Sequence, residues 1–283
     1  MLANAMENGR DKPHRVRELS QRDYQILEHI SWGPTNVWSI GRRFFPAKEN
    51  DPGTQHGISA YVWERLRMLQ SAGYMEMRKV NNIRRLLRSD SPIVVIKDKG
   101  ATEVALHFNY DIDNIKPLFP RLAEVAHDIM VASVTRKFIE EARQDLYKID
   151  YIHTEHYLRK VHGKFLRTKR GDFFPDCRIR IVPNQGPALT LDVEIDGGSK
   201  GRSQLYNKIA SFSNAVLIIT PNSDRLLTVV RYLCEGEAKI KKLSAPQVWL
   251  EAWEDFIKKG CRSRNVVNFS TANRDVLPVV VDR

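Results

Sequence analysis

The chain has 283 residues, of which 42% are hydrophobic and 28% charged, a composition typical of a globular protein with one large domain or two ordinary ones. No apolar run approaches the ~18 residues of a membrane span, and the first residues lack the apolar segment of a secretory signal, so the sequence predicts a cytoplasmic protein without a membrane partner. Three widely spaced cysteines argue against a disulfide framework. The formal net charge of +11, with clustered basic residues, favours a polyanionic partner.

The first part of the chain carries helical signals. Ser20 is a good N-cap residue, and apolar residues recur after it at helical spacing until Gly33. A second, short helix is expected to end before Pro46. A third helix is expected to close at Gly73, where glycine suits a left-handed cap. The apolar face of this third helix is formed by Ile58, Val62, Leu66 and Leu69.

Two β-type runs follow at residues 74–80 and 93–97, joined by a basic loop, and a further helix is expected at 99–108. Three helices followed by a hairpin and a helix are the order of a winged helix-turn-helix domain, predicted here over residues 19–108. The segment from Arg65 to Tyr74 resembles the R-L-x-x-L-x-x-x-G-hydrophobic ending of the recognition helix in many bacterial winged-helix domains.

A winged helix places its third helix in the major groove of double-stranded DNA, and the loop between its strands contacts phosphates. This arrangement predicts a set of DNA-binding arginines on the third helix and in the basic loop. They are Arg65, Arg67, Arg84, Arg85 and Arg88. A helical domain that serves protein contacts or dimerisation is the alternative.

A second domain is predicted over residues 122–260, after a linker at 109–121 and before a polar tail at 261–283. Its first helix, expected at 122–147, places Glu141 on an otherwise apolar face. A buried carboxylate is costly without a partner, so Glu141 is a candidate site residue. The alternative is that Glu141 lies in water at the edge of this face or pairs with a basic residue.

A predicted β-hairpin carries the most informative pattern in the chain. In its second strand apolar residues alternate with Asp192, Glu194 and Asp196, so the three carboxylates share one face and repel one another unless a cation lies among them. Asp176 precedes the hairpin, and Lys208 follows it on a predicted helix. This set favours a hard divalent metal, Mg²⁺ or Mn²⁺, with a lysine that stabilises an anionic transition state. The alternative is an ordinary solvated strand face.

The predicted element order of this domain is α-β-β-β-α-β. Together with Pro175-Asp176 at the head of one strand and Glu194 on the next, this order resembles the PD-(D/E)xK nuclease superfamily. The resemblance implies an α/β (α+β) protein in which a winged helix-turn-helix is followed by a restriction-endonuclease-like mixed-sheet domain. It also implies that Asp176 and Glu194 hold the metal and that Glu141 completes its shell through water.

The active-site lysine departs from the family pattern. The position two residues after Glu194, where the family has its lysine, holds Asp196. The resemblance therefore shifts the catalytic lysine to Lys208 on the following helix, with Lys200 as the nearer alternative. Two further residues are weighed as site members, His127 as a catalytic residue and Tyr206 as a covalent nucleophile.

The combination of the two domains is similar to the replication-relaxation proteins and the related MobC-type plasmid mobilisation relaxases. This resemblance implies a metal-dependent DNA nicking endonuclease that acts on double-stranded DNA at a specific transfer or replication origin, as a homodimer or with relaxosome-type accessory proteins. Two alternatives stay open. One is a non-catalytic winged-helix replication accessory or repressor with an inactivated nuclease fold, and the other is a double-strand endonuclease.

Overall fold

A computed structural model describes residues 18–46, 58–80, 92–115, 124–162, 174–198, 201–235, 247–262, 267–268 and 273–274. The chain divides into two compact units. The first comprises residues 1–31 and 35–109, and the second comprises residues 32–34 and 110–283. Among the helices described, none is long and apolar enough to cross a membrane.

The N-terminal unit combines helices with a small antiparallel sheet of strand order β1-β3-β2. Its elements are α1 (Gln21–Ser31), β1 (Thr35–Asn36), α2 (Val37–Phe44), α3 (Tyr61–Ser71), β2 (Met75–Arg78), β3 (Ile93–Ile96) and α4 (Asp98–Phe108). The predicted helices and hairpin are present within a few residues of their expected bounds. The two-residue strand β1 carries too short a pattern to be predicted.

The core of this unit follows from helical periodicity, since the apolar positions of α3 that share one face, Val62, Leu66 and Leu69, are fully buried. Gly100 allows α4 to approach the segment between α3 and β2 closely, because a Cβ at this position would collide with the carbonyl oxygen of Tyr74. The same carbonyl oxygen accepts a hydrogen bond from the backbone N–H of Lys97 at 3.0 Å.

A buried ion pair joins α1 to α3. Asp23 is fully buried, and its carboxylate accepts hydrogen bonds from the backbone N–H of Ser20 at 2.7 Å, from the Ser20 hydroxyl at 2.6 Å and from Arg65 Nε at 2.6 Å. Arg65 Nη2 also contacts the second carboxylate oxygen, so the contact is bidentate. Burial by itself would raise the pKa of Asp23, but Arg65 and Ser20 outweigh it and lower the pKa.

The C-terminal unit is built on a seven-stranded mixed sheet of order β10-β9-β8-β7-β6-β5-β4. Strands β4, β5 and β6 are antiparallel, whereas β6, β7 and β8 run parallel. The elements are α5 (Ile112–Ile115), α6 (Val125–Arg143), β4 (Tyr147–Thr154), α7 (Glu155–His162), β5 (Cys177–Pro183), β6 (Leu189–Ile195), α8 (Arg202–Ile209), β7 (Ala215–Thr220), α9 (Ser223–Glu235), β8 (Val248–Ala252), α10 (Trp253–Lys259), a 3-10 turn (Gly260–Arg262), β9 (Val267–Asn268) and β10 (Asn273–Arg274).

Two boundaries in this unit differ from expectation. The long helix α6 ends at Arg143 rather than at Tyr147, because Asp145 adopts a left-handed conformation (φ 57°) and breaks the helix before β4 begins. The first strand of the predicted α-β-β-β-α-β order ends at Thr154, where the helix α7, which that order does not contain, starts directly.

Helices cover both faces of the sheet. On one face α8 and α9 bury an apolar cluster against β7 and β8, with Leu205, Val229 and Ile218 among its members. On the other face α6 and α10 meet through Phe138 and Phe256, whose ring centroids lie 5.3 Å apart. The carboxylates of β6 lie on the face of α8 and α9, because Glu194 is the register partner of Ile218 in the neighbouring strand.

We expect Arg65→Met to lower the free energy of unfolding by about 3 kcal/mol near pH 7, because it leaves the buried Asp23 carboxylate without its guanidinium. The pKa of Asp23 is lowered from 3.8 in the folded protein, so the pair stabilises above about pH 4 and its contribution is lost as the pH falls through the lowered value. The difference between wild type and variant should therefore shrink in acid. Urea denaturation at several pH values measures it.

Arg67→Met is the matched control, because Arg67 lies on the same helix with an exposed side chain. We expect it to change stability by no more than about 0.5 kcal/mol. Equal effects of the two substitutions would show that the Asp23–Arg65 pair does not hold α3 in place.

Candidate active site

The register of the hairpin β5–β6 brings two acids side by side. Cys177 is paired with Val193, so continuing this register by one residue puts Asp176, which precedes β5, across from Glu194. The backbone N–H of Ile195 donates to Asp176 Oδ2 at 2.6 Å and fixes the Asp176 carboxylate beside β6. Both acids are buried, with exposed fractions of 5% for Asp176 and 0% for Glu194.

Glu194 is paired with the predicted lysine. Lys208 Nζ, from α8, lies 2.5 Å from Glu194 Oε2, and 13% of the lysine side chain is exposed. The helix is positioned by Leu205 and Ile209, which lie on the same side of α8 as Lys208 and are buried in the apolar cluster over β7. Lys208 therefore reaches the carboxylate from a helix that is packed on the sheet.

His127 contacts the carboxylate of Asp176. Its Nε2 lies 3.3 Å from Asp176 Oδ2, and its Nδ1 lies 3.6 Å from Asp128 Oδ1. Burial by itself would lower the pKa of His127, but these two carboxylates raise it to about 10, so the ring is an imidazolium at neutral pH. Burial would likewise raise the pKa of Asp176, but His127, Lys208 and the N–H of Ile195 outweigh it, and the Asp176 pKa is lowered.

Asp192 is engaged in a bidentate ion pair. Its register partner on β5 is Arg178, which donates from Nε at 2.6 Å and from Nη2 at 3.1 Å. Asn214 Nδ2 adds a third hydrogen bond at 3.1 Å. With both oxygens bound in this way, Asp192 ties β5 and the start of β7 to β6 and has a structural role.

Asp196, at the position where the resembled nuclease family has its lysine, is also paired. Arg225 Nε, from α9, donates to Asp196 Oδ2 at 2.6 Å, and the backbone N–H of Gly198 donates to Oδ1 at 3.3 Å. Asp196 is fully buried and Arg225 is 15% exposed. The pair therefore places an arginine from α9 beside the position at which the resembled family has its lysine.

The four carboxylates thus meet four cations, each from a different element. Asp192 and Glu194 of β6 and Asp196, the residue that follows β6, are fully buried, so the solvated strand face considered from the sequence is wrong. The repulsion between alternating carboxylates is relieved by separate ion pairs rather than by water. The pairs are His127 with Asp176, Arg178 with Asp192, Lys208 with Glu194 and Arg225 with Asp196.

The residues fit a divalent cation that takes two ligands from the protein. Among the described residues there is no group of three or more His, Cys, Asp or Glu arranged to hold a metal. Mg²⁺ is commonly bound by only one or two carboxylates, with water and substrate phosphate completing its octahedron. The adjacent carboxylates of Asp176 and Glu194 offer such a pair of hard oxygen ligands.

The structure does not place Glu141 with this pair, so its predicted role in the metal shell is wrong. Glu141 lies fourteen residues after His127 on the helix α6, which separates them by about 21 Å along the helix at 1.5 Å per residue. Its carboxylate instead accepts hydrogen bonds from the Tyr147 hydroxyl at 3.0 Å and from the backbone N–H of Cys261 at 3.1 Å. Burial, with Cys261 and Glu141 nearby, raises the pKa of Tyr147, so the phenol stays a donor.

Of the remaining predictions in this domain, Tyr206 lies on α8 and packs its partly buried ring against the apolar cluster. Lys200 lies outside the described residues. Lys208, the lysine preferred from the sequence over Lys200, lies 2.5 Å from Glu194.

The arginines predicted to bind DNA fall into three groups. Arg67 is exposed on α3 and open to a ligand. Arg65 is committed to the buried Asp23, so its guanidinium serves the fold, which does not agree with the predicted DNA contact. The three wing arginines lie outside the described residues, namely Arg84, Arg85 and Arg88.

Sequence reasoning missed two cations of the site. Arg178 had a readable signal, because the alternation of the hairpin strands puts it on the same face as Asp176. Arg225 had no such signal in the sequence. It meets Asp196 only because β7, which precedes α9, pairs with β6.

We expect Lys208→Met to lower the free energy of unfolding by about 3 kcal/mol, because it leaves the fully buried Glu194 without the ammonium. Adding Glu194→Gln in the same chain should restore most of this loss, since the second change removes the buried charge. Chemical denaturation of the wild type, both single variants and the double variant gives the coupling between the two residues. Additive effects would contradict the ion pair.

Comparison with known proteins does not assign the chain to a family. No protein-family model matches the chain, no curated protein matches it, and no solved structure matches it. The chemical role of the site therefore rests on its carboxylates and cations themselves.

Proposed function

We propose that the protein is a metal-dependent, site-specific DNA nicking endonuclease that acts at a transfer or replication origin. The observation that carries the proposal is the pair of adjacent buried carboxylates, Asp176 and Glu194, with the ammonium of Lys208 at 2.5 Å from Glu194. Two carboxylate ligands for Mg²⁺ or Mn²⁺, with a lysine ammonium beside them, suit metal-assisted hydrolysis of a phosphodiester.

The order of elements supports the same proposal. The run α6-β4-β5-β6-α8-β7, with the extra helix α7 inserted between β4 and β5, follows the α-β-β-β-α-β order of a restriction-endonuclease-like domain. Helices α1 to α3, the hairpin β2–β3 and α4 have the order of a winged helix-turn-helix, in which α3 would be the recognition helix. The net charge of +11 fits a nucleic-acid partner.

In this proposal each site residue has a separate task. Asp176 and Glu194 would hold the ion, which supplies Lewis-acid polarisation of the scissile phosphate and lowers the pKa of the attacking water. Lys208, whose side chain is 13% exposed, would turn its ammonium toward the phosphate and neutralise developing negative charge. His127 and the N–H of Ile195 keep the carboxylate of Asp176 in one orientation.

A second function is favoured by one specific observation. The four acids are already balanced by four cations, so the arrangement is electrostatically complete on its own. Such a domain would also suit a non-catalytic DNA-binding replication accessory or repressor. The two functions differ in whether divalent ions produce strand breaks.

We expect the protein to convert supercoiled plasmid that carries its origin into open circles when Mg²⁺ or Mn²⁺ is present. Asp176→Asn and Glu194→Gln should each reduce the nicking rate at least ~100-fold, because each removes one of the two carboxylate ligands, while DNA binding persists. Gel separation of nicked from linear product measures the rate and also detects a double-strand endonuclease.

Glu235→Gln is the control for this assay. It removes one carboxylate from the far end of α9, where Glu235 pairs with Arg202 at the surface. Its nicking rate should equal that of the wild type. Open circles formed at the wild-type rate by the Asp176 and Glu194 variants would refute the catalytic proposal and leave the DNA-binding function.

We expect Arg67→Ala to weaken binding to the origin duplex by about 1 to 3 kcal/mol, because an exposed arginine on a recognition helix can bond to a guanine edge. Arg42→Ala removes an equally exposed charge from α2 and should produce a smaller loss that does not depend on DNA sequence. Fluorescence anisotropy at several salt concentrations measures both. Identical, sequence-independent losses would remove α3 from the recognition surface.

A further inference from the structure

Three aromatic rings form a column on the outer strand of the large sheet. The rings of Tyr151 and His153 stack with centroids 4.3 Å apart and an interplanar angle of 13°. His153 and Tyr157 stack with centroids 4.4 Å apart and an angle of 26°. All three side chains are partly exposed, and β4, which carries two of them, is the last strand of the sheet on this side within the described residues.

The column follows from local structure. Tyr151 and His153 lie two residues apart on β4, so their side chains point to the same face. Helix α7 starts directly after β4 and brings Tyr157 over His153. The backbone N–H of Glu155, the first residue of α7, donates to the carbonyl oxygen of Asp176 at 3.1 Å, so the helix that closes the column is tied to a proposed metal ligand.

The column lies on the same face of the sheet as the carboxylates. His153 is the register partner of Arg178 on β5, and Arg178 is the register partner of Asp192 on β6. Opposite residues of antiparallel strands share a face, so the rings lie two strands from the acids of β6, a distance of roughly 10 Å. A strand of nucleic acid that enters the site from the β4 side would pass the rings.

The chemistry of the column suits aromatic ligands. His153 is stacked between the two tyrosines, so the column offers a ligand the outer ring faces of Tyr151 and Tyr157. Burial, together with Arg178 and His162, lowers the pKa of His153, so the ring between them is neutral at pH 7. An exposed cation lies beside it, since Arg180 is the register partner of Tyr151 on β5 and is 42% exposed. Its partner Asp150 is also exposed, and surface pairs of this kind are weak enough to exchange for phosphate.

We propose that Tyr151, His153 and Tyr157 form a stacking platform for unpaired bases of a single DNA strand beside the cleavage site. The inference rests on the proposed nuclease function and adds the state of its substrate, which is unpaired next to the cut. Bases inside a duplex already stack on their neighbours, whereas an unpaired base has a free face to offer. Aromatic side chains that stack on successive bases, next to cations that follow the phosphates, are the usual means of binding single strands.

The platform is tested by binding of a fluorescein-labelled single-stranded oligonucleotide from the origin, and of its duplex, in EDTA. Under these conditions the DNA stays uncut, so the result is independent of nicking. Tyr157→Leu keeps apolar volume but removes the aromatic face, and it should weaken single-strand binding about 5- to 100-fold with less than a twofold change for the duplex. Tyr157→Phe keeps the ring and should bind single strands as the wild type does.

Two further measurements make the result decisive. Thermal unfolding of both variants identifies any loss that comes from misfolding, and in that case Tyr151→Leu and Tyr151→Phe replace the first pair. A 2-aminopurine base near the cleavage site should lose fluorescence on binding to the wild type and to Tyr157→Phe but not to Tyr157→Leu. Unchanged single-strand affinity in the leucine variants, or equal losses for single strand and duplex, would overturn the platform. If nicking fails while this pattern is seen, the platform stands and the catalytic proposal falls.

Discussion

The C-terminal unit depends on burying four carboxylates at one end of a sheet. An isolated buried carboxylate costs several kcal/mol, so each acid needs a cation within contact distance. The cations come from four elements, His127 on α6, Arg178 on β5, Lys208 on α8 and Arg225 on α9. The pairs of Asp192, Glu194 and Asp196 join β5, α8 and α9 to β6 and the residue that follows it, and the pair of His127 with Asp176 joins α6 to the residue before β5. Apolar packing of α8 and α9 holds these helices on the sheet, and each of them adds one ion pair to that packing.

The same electrostatics bear on function. Asp192 and Asp196 are paired with arginines, whose fixed forked geometry favours lasting structural contacts. Glu194 is paired with a lysine, whose ammonium is a point charge on a flexible stem and exchanges one anion for another more readily. The chain thus combines two arginine pairs and one lysine pair along β6 and the residue that follows it. That difference, more than the number of acids, distinguishes the Glu194–Lys208 pair from the others.

Much of the fold was predictable because its periodicities are local. The buried face of α3 and the shared face of Asp192, Glu194 and Asp196 follow from spacing along the chain, and the structure confirms both. Glu141 was misassigned because periodicity gives the face of a helix but not which residue meets the site along its length. Arg65 was misassigned for a related reason, since its partner Asp23 lies on another helix. Arg225 depends on the parallel pairing of β6 with β7, which no local pattern encodes.

The reciprocal pairing of acids and cations also limits how this sequence can change over evolutionary time. A substitution of Asp196 alone would leave Arg225 facing an uncharged partner, and a substitution of Arg225 alone would leave a buried carboxylate unpaired. Either intermediate is less stable than the starting protein, so the two positions are expected to vary together or not at all. Asp192 and Arg178, which form an ion pair across neighbouring strands, are expected to vary together for the same reason. Relatives of this chain would then carry the site as linked pairs, and an alignment would show it as covariation before it showed it as invariance.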